Sequence, residues 1–144
     1  IKINKTLFQQ FSDLRNQLEK AYFIRAAESL TIEDWKDLEE LVYRAKRKLK
    51  SNPAQIPHTE HRKFHLLIYR HLENIFVTGC LEAFWDVYEL IGMNLYEDLK
   101  YLNRVWKYHE EIAHLILKGN LDDAAKSLSD HMEMIYTRSK GKIS

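Results

Sequence analysis

The 144-residue sequence predicts an all-α protein, an antiparallel bundle of about six helices with short loops. Three observations carry that reading. Four glycines and two prolines are too few for a turn-rich β fold. Apolar residues recur every third or fourth position, and no stretch alternates as a strand would. Both prolines fall inside Ser51 to Pro57, which reads as the clear linker of the chain.

The first helix is expected from about Lys5 to Ser29, with an apolar stripe of Leu7, Phe11, Leu14, Leu18, Tyr22 and Ala26. Thr31-Ile32-Glu33-Asp34 resembles a capping box with acids in the first turn, so it starts the second helix. Trp35, Leu38, Leu41, Val42, Ala45 and Leu49 form its core face. The basic run from Arg44 to Lys50 suits its C-terminus as a solvated helix end. After the linker, a third helix is expected from His58 to Glu73, ended by Asn74. A fourth spans roughly Val77 to Ile91, ended by Gly92 or Asn94. A fifth runs from about Tyr96 to Lys118 and stops at Gly119-Asn120, a good C-terminal cap pair. A sixth covers Leu121 to Arg138, before a frayed tail. The large rings of Phe84, Trp85, Tyr88, Tyr101, Trp106 and Tyr108 read as mostly core. Cys80 reads as a small core residue.

Composition narrows the function. The chain is 45% hydrophobic and 30% charged, as a folded domain with a real core should be. No apolar run approaches the ~18 residues of a membrane helix. The net charge of +1 gives no general case for nucleic acid or membrane binding. No signal sequence is legible in Ile1-Lys2-Ile3-Asn4-Lys5, and a single cysteine cannot form an internal disulfide. A cytoplasmic protein is therefore expected. The opening Ile suggests a piece of a longer chain.

Histidine placement is the most informative feature. His61 and His65 stand four apart in Glu60-His61-Arg62-Lys63-Phe64-His65, so they share a helix face. His109 lies on the face of Leu102, Val105, Ile112 and Ile116, and His131 follows the stripe Leu121, Ala124, Ala125, Leu128. Both turn inward. His71 points elsewhere, and His114, five residues past His109, faces solvent. Converging imidazoles leave lone pairs facing one another, which a divalent metal resolves. The alternative is that each is a core histidine with its own hydrogen-bond acceptor.

Four segments then resemble one family, in order over nearly the whole chain. They are Leu14-Arg15-Asn16-Gln17-Leu18-Glu19 with Arg25-Ala26-Ala27; Phe64-His65 with Asn74; His109-Glu110-Glu111-Ile112 with Gly119-Asn120 and Asp123-Ala124-Ala125; and Leu128-Ser129-Asp130-His131-Met132. The chain is similar to the FCD domain, the effector-binding half of FadR-type regulators in the GntR family of bacterial transcription factors. The resemblance implies an FCD-like bundle, one effector-binding and dimerisation domain over residues 1–144. A winged helix-turn-helix DNA-binding domain is expected before residue 1. It also implies a homodimer that meets operator DNA only through that absent domain.

In many members an Asp and three His bind one divalent metal, and His65, His109 and His131 match the three histidines. Where the family usually has Asp, this chain has His61, either a fourth imidazole ligand or a side chain turned away from a three-histidine site. The change leaves the site at about +2 rather than about +1, favouring an anionic ligand. All-nitrogen ligation favours Zn or Ni, or Cu, over Mg or Ca. The family further implies a small carboxylate effector, with Arg15 as its bidentate partner. A surface ion pair of Arg15 with Asp13 or Glu19 is the competing reading. Asn74 is a second effector candidate, with helix capping as its other role.

The leading expectation is a metabolite-sensing, non-enzymatic domain. A metal-dependent hydrolase is the rival, since an open three-histidine site activates water. Yet His61-Arg62-Lys63-Phe64-His65 lacks the adjacent Glu of His-Glu-x-x-His peptidases, and Glu110 and Asp130 sit about 100° off the ligand face. A metal-free dimerisation scaffold is the third reading.

Overall fold

The computed structural model describes residues 5–91 and 98–143, with side chains over 6–90 and 98–133. Its elements are α1 (Lys5–Glu28), α2 (Ile32–Lys50), α3 (His58–Ile68), α4 (Ile75–Ile91), α5 (Leu99–Leu117) and α6 (Leu121–Ile143). Among the described residues there is no strand, and no helix is long and apolar enough to cross a membrane. The helices close into a ring in the order α1, α6, α5, α2, α3, α4, with α1 also touching α3 across it. Side chains from five of the six helices therefore meet at the centre, around Trp85, Trp106 and Phe64.

Local signals set most helix ends. Thr31 and Asp34 exchange the two hydrogen bonds of a capping box and start α2. Asp98 starts α5 by accepting from the Lys100 and Tyr101 amides. Gly119, at φ 77°, ends α5: its amide reaches the Ile116 carbonyl and that of Asn120 reaches Leu115, the two bonds of a Schellman turn. The expected ends at Gly92 or Asn94 and start at Tyr96 lie outside the described residues. α6 continues past Arg138 to Ile143.

Four expectations need correction. α3 stops at Ile68, five residues short of Glu73. Tertiary bonds pull the chain out of the helix there: the Tyr69 hydroxyl donates to the Glu19 carbonyl, and Arg70 and His71 both bond to Asp34. Asn74 begins α4 rather than ending α3, its side-chain oxygen accepting from the Phe76 and Val77 amides. On α1, the buried face is Phe8, Arg15, Glu19, Phe23 and Ala26, while Leu7 and Leu14 stay 43% and 48% exposed. Apolar periodicity missed this face because two of its members are charged. Cys80 is half-exposed on α4, not core.

A candidate metal centre of four histidines

α3 delivers His61 and His65 one turn apart, α5 delivers His109, and α6 delivers His131. Each carries a ligand atom, and these atoms lie within 4.8 Å of one another. The six ring-to-ring distances run from 4.3 Å for His109–His131 to 6.1 Å for His61–His131. Four donors bonded tetrahedrally to one ion at ~2.1 Å stand about 3.4 Å apart, so the widest pair would close by about 1.4 Å for all four to reach one ion. His61 is thus brought into the cluster and not turned away from it. His71 and His114 lie outside it, both exposed, as the periodicity predicts.

Hydrogen bonds fix two of the tautomers. His65 Nδ1 lies 2.8 Å from a Glu19 carboxylate oxygen, so it carries the proton and donates. His109 Nδ1 likewise donates to the Val105 carbonyl at 2.8 Å. Both Nε2 atoms are then bare lone pairs, and they face each other at 3.0 Å. His131 has neither ring nitrogen bonded, although it is fully buried. His61 keeps part of its surface exposed, but its Nε2 is buried and without a partner. Buried polar atoms are rarely left this way, and four converging imidazole lone pairs are a donor set for a borderline divalent cation. The residues present fit such an ion.

Burial, together with the neighbouring histidines, holds His61, His109 and His131 well below the usual imidazole pKa. Burial also lowers His65, against the opposing pull of Glu19. The cluster is therefore neutral at physiological pH, the state in which imidazole ligates metal.

Around it lies a layer of side chains of which the sequence reading singled out Arg15 alone as functional. Glu19 is fully buried. Burial pushes its carboxyl up, but Arg15 and His65 outweigh that and hold it below the ordinary value. Arg15 is 4% exposed, forms an ion pair with Glu19 and lies over the Phe84 and Trp85 rings, 4.8 and 5.2 Å from their centres. The pairing expected from the four-residue spacing is present, at the core instead of the surface. Trp85 packs on both His61 and His65, and its indole N–H is buried without an acceptor. Asn74, exposed and engaged in capping α4, is not drawn into this assembly. The Arg15–Glu19 spacing and the Leu18-Glu19 pair were the available signals for Glu19.

A small opening lies beside the cluster. A cavity of about 20 Å³ lies between His58, His61, Tyr88, Tyr101 and Trp106, room for about one water. The carboxylates next to the cluster histidines in sequence each pair with a lysine, Glu60 with Lys48, Glu110 with Lys46 and Asp130 with Lys126.

Comparison with known proteins agrees with the architecture. The FCD domain model matches residues 10–134. A solved structure of Lar, which controls the expression of the Listeria monocytogenes agr system and mediates virulence, superposes with a TM-score of 0.81 at 14% identity, over 96% of this chain. The chain spans 65% of the length of that structure, and the likeness shows the fold. No curated protein matches the sequence. The match over most of the chain places it in a family: this chain belongs to the FCD domains, the effector-binding domains of GntR-type transcriptional regulators.

Proposed function

We propose that this domain senses a small carboxylate metabolite through a divalent metal, Zn or Ni, held by His61, His65, His109 and His131. The observation that carries the reading is the set of buried, neutral imidazoles with unpartnered nitrogens. A bound ion would supply a Lewis-acidic positive charge that no protein carboxylate ligand offsets. His65 would be held in register by Glu19, and His109 by the Val105 carbonyl.

The effector chemistry follows from the charge. Arg15 lies close enough to disfavour protonation of all four histidines, so its field adds to that of the ion. The buried Trp85 N–H offers a further donor beside His61 and His65. An acid drawn to this centre meets positive charge and a donor; of the two effector residues expected from the sequence, Arg15 is retained and Asn74 keeps its capping role. The cavity beside His61 is too small for a metabolite, so binding has to part the helices. A ligand that binds the parted arrangement better shifts the population toward it. In a homodimer carrying DNA-binding heads on the segment before α1, that shift changes operator affinity. The protein acts in the cytoplasm, and this domain does not bind DNA by itself.

The test is metal content of the purified chain after exposure to Zn²⁺ or Ni²⁺, beside His65→Ala and His109→Ala. About one metal per chain, lost in both variants, is expected, with small carboxylates raising the melting temperature only of the metal-loaded parent. A parent that takes up neither metal overturns the reading.

A further inference from the structure

We propose that the metal reaches the four histidines past the first turn of α3, where His58 stands at the mouth as a transient ligand that hands the ion to His61. This rests on the metal site proposed above and concerns how that site is loaded and emptied.

The four histidines are not equally deep. His65, His109 and His131 are at most 1% exposed. His61 alone of the four keeps part of its surface exposed. The small cavity beside it is lined by His58 and His61 together. His58 is the first residue of α3 and half-buried. It stands three residues before His61, so the two share a helix face. Two imidazoles thus border one gap, an outer and an inner one. The gap has room for about one water, enough for a divalent ion that has shed its hydration shell.

The cost of shedding that shell explains why a ligand is needed at the mouth. A divalent ion leaves water only where protein donors replace it in step. The acids near His58 are already committed, Glu60 to Lys48 at 2.9 Å and Glu89 to Arg62 at 3.3 Å. Tyr88 and Tyr101 also line the gap, but a neutral phenol is a poor ligand. The His58 ring is the suitable donor. Burial lowers its pKa, with Glu89 and Glu60 pulling the other way and Lys48 adding to the drop. The ring is therefore neutral at physiological pH and offers a lone pair. The next donor inward is His61 Nε2, buried and without a partner.

Two further features favour this side. Toward α1 the cluster is backed by Arg15, a buried positive charge that opposes the passage of a cation. α3 opens at Pro57 without a side-chain cap, so its first turn is held by fewer bonds than the rest and leaves the His58 ring free to swing.

The experiment is stopped-flow uptake of Ni²⁺ by the chelator-stripped chain, followed by release into excess EDTA. Tryptophan fluorescence reports both, since the Trp85 and Trp106 rings lie 4.9 and 5.9 Å from that of His61. The parent is set beside His58→Leu, which keeps bulk without a donor, and His58→Asp, which restores a donor. Circular dichroism confirms that both variants are folded. Uptake and release should each slow by about 10-fold in His58→Leu. Affinity should stay as it was, because a transient ligand lowers the barrier equally in both directions. His58→Asp should return both rates close to those of the parent. Equal rates in the parent and His58→Leu overturn this route and leave the metal site standing. Weaker affinity with faster release in His58→Leu makes His58 a ligand of the bound ion and overturns the transient role. Rates as slow in His58→Asp as in His58→Leu overturn the hand-over by ligation. A parent that takes up no Ni²⁺ overturns the metal site itself, and this route with it.

Discussion

His65 and His109 point bare ring nitrogens at each other across 3.0 Å, because each has already given its Nδ1 proton to Glu19 and to the Val105 carbonyl. Two lone pairs at that distance in a dry interior repel, and a cation bound by both nitrogens removes the conflict while leaving both Nδ1 hydrogen bonds in place. A proton is the weaker answer, since burial disfavours the imidazolium. A metal ion also engages the orphaned nitrogens of His61 and His131.

Without metal, acid should unfold this domain early. The folded pKa values of His61, His109 and His131 lie well below 6.5, so the unfolded chain binds protons first as pH falls. Their stabilising contribution is complete above pH 6.5 and is lost as pH drops toward the folded values. Each buried histidine adds a slope of up to about 1.4 kcal/mol per pH unit. Urea unfolding of the chelated chain at pH 7.5 and pH 5 should show several kcal/mol of difference. Equal stability at the two pH values would mean that the cluster is not held neutral.

Glu19 should act on the metal through His65. Glu19→Gln is expected to weaken metal binding about 10- to 100-fold. It should also destabilise the fold by about 3–5 kcal/mol, since Arg15 is left buried and unpaired. The double variant Arg15→Met/Glu19→Gln should recover much of the stability and none of the metal affinity. Competition titration with a chelating dye, set beside urea unfolding, separates the two effects. Unchanged metal affinity in both variants would reduce Glu19 to a partner of Arg15.

His61→Asp installs the residue usual in the family and adds one negative charge to the centre. Metal should be retained. Affinity for a carboxylate should fall about 10- to 100-fold, as expected for one charge added at ~5 Å in a partly screened interior. Calorimetric titration of acids into the metal-loaded parent and variant reads this directly. Equal affinities would show that effector binding does not depend on the charge of the centre.

The helices, most of their ends and the histidines that turn inward follow from local sequence. Capping at Thr31 and Asp34, the Gly119-Asn120 turn and the faces of His109 and His131 are written within a turn or two of chain, where spacing and hydrogen-bonding capacity suffice. Interactions between distant segments came from packing instead. Glu19 is tied to His65 and Tyr69, 46 and 50 residues away, and Asp34 to Arg70 and His71, 36 and 37 away. Those bonds put an ion pair on the inner face of α1, ended α3 at Ile68 and left Asn74 to begin α4. Periodicity counts apolar residues, so it placed α1 with Leu7 and Leu14 inward. A charge can be buried only where its partners are, and partners across the bundle exist only once the helices have packed. The same packing brought His61 into the cluster, a choice that four-residue spacing left open.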